Sequence, residues 1–128
     1  MNHTIQVNSK IITDLHTRIH STFKNRSKSE EDWQAWKDAC AEFHQRYDSL
    51  AFPGGLEQAL QKLKLGDLPT AETAICFLEI HPYFFRSQYI ATSLTRLVKK
   101  IPLPAHLQRR LEAVLEAART RKRHPRNA

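Results

Sequence analysis

Residues 29–50 decide the fold, and they read SEEDWQAWKDACAEFHQRYDSL. Ser29 is a favourable N-cap, and the three acidic residues that follow it complement the positive end of a helix dipole. Behind them, apolar side chains recur at steps of three and four residues over about five turns, which predicts an amphipathic helix with a continuous seam. The members of this seam are Trp33, Trp36, Cys40, Phe43, Tyr47 and Leu50.

The same apolar spacing continues on both sides of this helix and is interrupted by polar, Gly and Pro residues. The polar run 25–28 is a turn, residues 52–55 break the second helix, Gly66 is placed to cap a third, and Pro82 is expected to open the fifth. We predict an all-α fold of about six helices in a single compact domain. Short loops should make antiparallel helical hairpins, arranged as a bundle or a short solenoid-like stack. The predicted core contains Trp33, Trp36, Phe43, Leu60, Leu78, Leu94, Leu97, Leu111 and Leu115.

Composition excludes several broad classes of protein. The chain has 128 residues, of which 41% are hydrophobic, and this is enough for one core. No apolar run could span a bilayer, and the polar start, Met1 to Lys10, has no apolar segment typical of a signal peptide. Cys40 and Cys76 match no metal-ligand or disulfide spacing. We therefore expect a cytoplasmic protein with no cofactor and no membrane partner.

The positive charge is concentrated at the end of the chain. Residues 1–53 carry seven basic and seven acidic side chains, residues 54–103 carry six and four, and residues 104–128 carry seven and two. This distribution predicts an all-α domain over residues 1–118 and a basic tail over residues 119–128. The tail side chains that are candidates for binding nucleic acid or an acidic protein are Arg119, Arg121, Lys122, Arg123 and Arg126.

Possible catalytic groups do not form a recognisable constellation. His16 and His20 are four residues apart and could share a metal ion, but no further ligand motif accompanies them. Both thiols occupy core-facing steps of apolar stripes, and buried thiols are usually inert. Glu72 and Glu79 have no partner in the sequence that suggests acid or base tuning. We predict no catalytic, cofactor-binding or metal site, and hence no enzyme.

The densest aromatic and basic cluster lies at residues 81–89. A helix buries only about half of its circumference, so these side chains cannot all face one core unless the helix is sandwiched on both sides. Tyr and Arg at a partly exposed helix start are typical of interface hot spots. The candidates for protein interaction are Tyr83, Phe84, Phe85, Arg86 and Tyr89.

A wider pattern combines Pro53-Gly54-Gly55-Leu56 with Phe77-Leu78-Glu79 and with Pro82-Tyr83-Phe84-Phe85-Arg86-Ser87 before Tyr89-Ile90. It resembles small uncharacterised helical proteins from bacteria. The resemblance covers the middle third to half of the chain. It implies a bacterial cytoplasm, and no activity or site residues.

The sequence leaves two functions open. The first is a non-catalytic protein-binding module, such as an adaptor or an inhibitor or immunity-type partner of another bacterial protein. An acidic protein surface is one natural target for the basic C-terminal segment of such a module. The alternative is a nucleic-acid-binding protein that uses the basic C-terminal segment to contact phosphates.

Overall fold

The chain alternates helices with short connections throughout the part that can be described. A computed structural model describes residues 2–123, and over this range it contains six α-helices and no strand. This confirms the all-α prediction. The helices are α1 (Asn2–Phe23), α2 (Glu30–Ala51), α3 (Leu56–Lys64), α4 (Leu68–Ile80), α5 (Ser87–Val98) and α6 (Ala105–Arg123).

The fourth helix is the centre of the molecule. α4 packs against α1, α3, α5 and α6, whereas the long helices α1 and α2 pair mainly with each other. A helix enclosed by several others must be apolar on more than one side. The contact between α1 and α4 joins the first helical hairpin to the second, and both a bundle and a short solenoid-like stack allow it. The buried residues of α4 are Ala71, Ala74, Ile75, Phe77 and Leu78.

Local sequence signals set several helix ends as predicted. The Ser29 hydroxyl accepts a hydrogen bond from the Asp32 N–H at 3.0 Å and so caps α2. Gly66 follows α3 with φ +81°, a left-handed conformation that glycine adopts without a Cβ penalty. Its N–H donates to the Leu63 carbonyl at 3.0 Å, which satisfies one of the free carbonyls at the end of α3.

Most of the predicted core residues are at least partly buried, but Trp33 is not in the core. It lies in the first turn of α2 and is 42% exposed. Over residues 2–123, α2 packs on α1 and α3, and α3 adjoins the opposite end of α2. The Trp33 ring therefore packs on Trp36, with ring centroids 5.3 Å apart, and keeps one side in solvent. The other predicted core residues are buried (Phe43, Leu78, Leu94, Leu111) or partly buried (Trp36, Leu60, Leu97, Leu115).

The prediction that Pro82 opens α5 is wrong, because α5 begins at Ser87. His81 adopts a left-handed conformation with φ 53°, and its N–H donates to the Phe77 carbonyl at 2.9 Å. This turn ends α4, and a second left-handed residue, Arg86 with φ 66°, directly precedes α5, so Pro82 lies in the loop between the two helices. The Ser87 hydroxyl then accepts the Phe84 N–H at 3.1 Å at the start of α5.

The last helix is longer than the predicted domain. α6 continues to Arg123, so residues 119–123, predicted as part of a tail, extend the helix. Arg126 lies outside the described residues. Within residues 2–123, every helix is too short or too polar to cross a membrane.

Candidate functional site

A groove of about 1120 Å³ lies between α5 and α6. Its apolar surface comes from Leu78, Ala91, Val114, Leu115 and Ala118. Its cationic side chains are Arg96, Lys99, Lys100, Arg121 and Lys122. None of the described residues that line the groove is Asp or Glu. The groove therefore combines apolar contact surface with a positive field.

The groove exists because α5 and α6 share a neighbour without covering each other. Within the described residues, both helices pack on α4 but scarcely on one another. Ala91 and Ala118, on the two flanking helices, leave the intervening space unfilled. α5 is thus packed on one side only, and α4 is the sandwiched helix.

Arg110 holds α6 against α4. Its guanidinium lies 2.8 Å from the Glu79 carboxylate and 3.6 Å from that of Glu72. The same group also donates to the Cys76 thiol at 3.3 Å. Hydrogen bonding by Arg110 lowers the pKa of Glu79 below its ordinary value. Arg110 is thus the partner of Glu72 and Glu79, which the sequence did not reveal. The contact also helps to fix α6 as one wall of the groove.

Side chains of α1 and α2 anchor the loop between α4 and α5. The Ser9 hydroxyl donates to the Tyr83 carbonyl at 3.1 Å, and the Tyr47 hydroxyl donates to the Phe85 carbonyl at 2.5 Å. The Phe85 ring packs beside His16, with centroids 4.8 Å apart. α1 and α2 therefore hold the loop in place and leave the Tyr83 side chain, 65% exposed, at one end of the groove.

His81 and Arg121 join Tyr83 at this end of the groove. The His81 and Tyr83 rings are nearly perpendicular, with centroids 5.0 Å apart. Burial, followed by the positive charge of Arg121, lowers the pKa of His81 below its ordinary value. The neutral imidazole is therefore favoured near pH 7, and the permanent cations carry the charge of the groove.

The aromatic candidates are divided between different surroundings. Tyr83 lines the groove, whereas Phe84 packs against the core beside Phe77. Phe85 and Tyr89 are 40% and 71% exposed, but neither lines the groove. Arg86 is also exposed and lies outside the groove, with its guanidinium 5.4 Å from the Phe85 ring.

The basic candidates are divided in the same way. Arg121 and Lys122 line the groove, while Arg119 pairs with Glu116 at 3.0 Å. The side chain of Arg123 and the whole of Arg126 lie outside what the structure describes. One aromatic candidate and two basic candidates are thus brought to a single site.

Sequence reasoning missed the groove, although one signal for it was present. Asp and Glu are absent from Ile80 to Leu111, a stretch that includes all of α5 and the start of α6. The basic residues that follow α5 lie far in the sequence from those near the end of α6. The structure places Lys99 and Arg121 around the same groove.

Other potentially reactive groups lie elsewhere. The rings of His16 and His20 are edge to face, with centroids 4.6 Å apart. No cluster of three or more His, Cys, Asp or Glu in residues 2–123 could hold a metal ion. Cys40 and Cys76 are free thiols and are only partly buried, so their predicted core-facing positions lie at the edge of the core.

Comparisons with protein-family models, curated proteins and solved structures give no match to this chain.

Proposed function

We propose that this chain is a non-catalytic protein-binding module and that the groove between α5 and α6 is its binding site. The observation that carries the proposal is the coincidence of an open apolar surface with an exposed tyrosine and five cations, among described lining residues that include no Asp or Glu. Exposed apolar surface bordered by polar residues is typical of protein interfaces, and Tyr and Arg are enriched at their hot spots. An adaptor, or an inhibitor or immunity-type partner of another bacterial protein, fits this description.

The test compares two tyrosines of similar exposure. Tyr83 lines the groove and is 65% exposed, whereas Tyr89 is 71% exposed and lies outside it. Replacing a hot-spot tyrosine by alanine costs about 2 kcal/mol or more, which is roughly a thirtyfold loss of affinity. Tyr83→Ala should therefore lose a partner in affinity purification from native cells, whereas Tyr89→Ala should retain it.

Quantitative mass spectrometry of the purified material gives the readout. A partner recovered equally with the wild type, Tyr83→Ala and Tyr89→Ala would refute the groove as its binding site. Loss with Tyr89→Ala alone would place the interface on the other exposed face of α5.

Nucleic-acid binding is the second candidate, because cations from two separate segments meet at the groove. Phosphate contacts give a log–log salt slope of about −0.9 for each contact on duplex DNA. Arg121→Gln combined with Lys122→Gln should then reduce the magnitude of the slope by about 2. These substitutions are preferable to truncation at Arg119, since truncation would shorten α6. An unchanged slope would exclude this use of the groove.

A further inference from the structure

We infer, on the basis of the proposed protein-binding function, that the occupant of the groove is an acidic amphipathic α-helix of about three turns in the partner protein. The inference depends on three features of the groove. These are its shape, the lack of a sheet edge among the described residues that line it, and the positive sign of its charge.

The groove has the dimensions of a helix site. α5 and its C-cap residue line it from Gln88 to Lys99, and eleven residue steps along a helix correspond to about 16 Å, or three turns. The supporting helix α4 lies beneath, so a further helix placed between α5 and α6 would pack as the existing helices do. The small side chains Ala91 and Ala118 permit a close approach on both flanks.

A helical occupant satisfies its own backbone. An extended peptide usually gains affinity by pairing with the edge of a sheet, but residues 2–123 contain no strand. The groove surface between α5 and α6 is made largely of apolar side chains such as Leu78 and Leu115. An extended segment pressed against them would bury unpaired N–H and C=O groups. A helix buries only its apolar face there, which favours anchors at the first, fourth or fifth, and eighth positions of the segment.

The charge of the groove defines the flanks of the occupant. Five Lys and Arg side chains line it, and no described lining residue is acidic. Two carboxylates on the adjoining helices are engaged elsewhere, Glu79 with Arg110 and Glu116 with Arg119. A partner helix with Asp or Glu beside its apolar stripe would therefore meet cations of α6 at the Tyr83 end of the groove and cations near the end of α5 at the other. A basic helix would be repelled, which provides specificity. Duplex DNA could match the charge but would leave the apolar surface uncovered.

An mRNA-display selection on the full chain provides the test. The library consists of peptides of about 16 residues with Leu fixed at helical spacing and all other positions drawn equally from Glu, Lys, Gln and Ala. We expect enrichment of Glu and depletion of Lys. The selected peptides should also gain helical circular dichroism on binding, and their affinity should fall as salt is added.

Matched charge reversals locate the binding site. Lys99→Glu combined with Lys100→Glu changes two exposed cations at the groove, and Lys24→Glu combined with Lys37→Glu makes the same change on the α1–α2 hairpin. The first variant should bind the selected peptides about tenfold more weakly or worse, while the second retains most of the affinity. The composition of the wild-type selection is a readout that does not depend on the folding of either variant.

Several outcomes would overturn the inference. These are enrichment of Lys-rich or uncharged peptides, recovery of no peptide, binding without helix formation, equal losses in the two charge variants, or displacement of the selected peptides by oleate at an equal concentration. If Tyr83→Ala still loses the cellular partner in any of these cases, the helix assignment is wrong and the protein-binding function stands. If Tyr83→Ala retains the partner, the proposed function itself fails.

Discussion

The substitutions Leu94→Ala and Leu115→Ala test whether the space between α5 and α6 is an open groove or part of the closed core. Both leucines belong to apolar stripes and look equivalent in the sequence. In the structure, Leu94 has no exposed surface, whereas Leu115 is only partly buried and lines the groove. Leu94→Ala should therefore leave an enclosed cavity, but Leu115→Ala should only enlarge a space that already opens to solvent.

The expected costs follow from this difference in burial. A fully buried Leu→Ala change combines the lost transfer free energy with a cavity penalty, so Leu94→Ala should lower the free energy of unfolding by about 3 kcal/mol. Leu115→Ala loses only part of the transfer free energy, so it should lower the free energy of unfolding by about 1 kcal/mol. For a domain of this size, each kcal/mol shifts Tm by roughly 3 to 4 °C.

Urea unfolding followed by far-ultraviolet circular dichroism measures both losses. Leu65→Ala is the control, since Leu65 is 86% exposed and its truncation should change the free energy of unfolding very little. Equal losses of about 3 kcal/mol for Leu94→Ala and Leu115→Ala would mean that α6 closes onto α5. That result would refute the open groove.

Three further predictions concern helix ends and the contact between α4 and α6. Ser29→Ala removes the hydroxyl that accepts the N–H of Asp32 and should lower the free energy of unfolding by about 1 kcal/mol in urea titrations; an unchanged midpoint would contradict this. Gly66→Ala places a Cβ at φ +81° and should lower the free energy of unfolding by about 1 kcal/mol, seen as a fall in Tm of several degrees. Gly66→Asn should lower Tm less, because Asn tolerates this conformation. Equal losses in the two variants would argue against backbone strain. Arg110 lowers the pKa of Glu79, so its contribution is present above the ordinary value of 4.5 and is lost as pH falls through the lower folded-state pKa. Glu79→Gln should accordingly flatten the loss of stability in acid titrations, and an unaltered acid profile would count against the contact.

The sequence was most informative where a structure depends on neighbouring residues. The Ser29 cap and the Gly66 turn were predicted correctly because each is set within a few residues. The start of α5 was predicted incorrectly because neighbouring residues do not decide it. Pro82 is compatible with either a helix start or a loop, and contacts from Ser9 and Tyr47, distant in sequence, accompany the loop.

Apolar periodicity determined that this chain is helical, because the pattern of burial on a helix repeats with the geometry of its backbone, and polar, Gly and Pro residues marked most of the breaks. The same periodicity could not decide which helix is central or which apolar stripe is left uncovered. Leu94 and Leu115 have similar sequence contexts, and only the packing of α5 and α6 on α4 makes one a core residue and the other a groove residue. The meeting of Tyr83 with Arg121, 38 positions later, likewise depends on that packing, since their sequence separation contains no information about the angle between two helices.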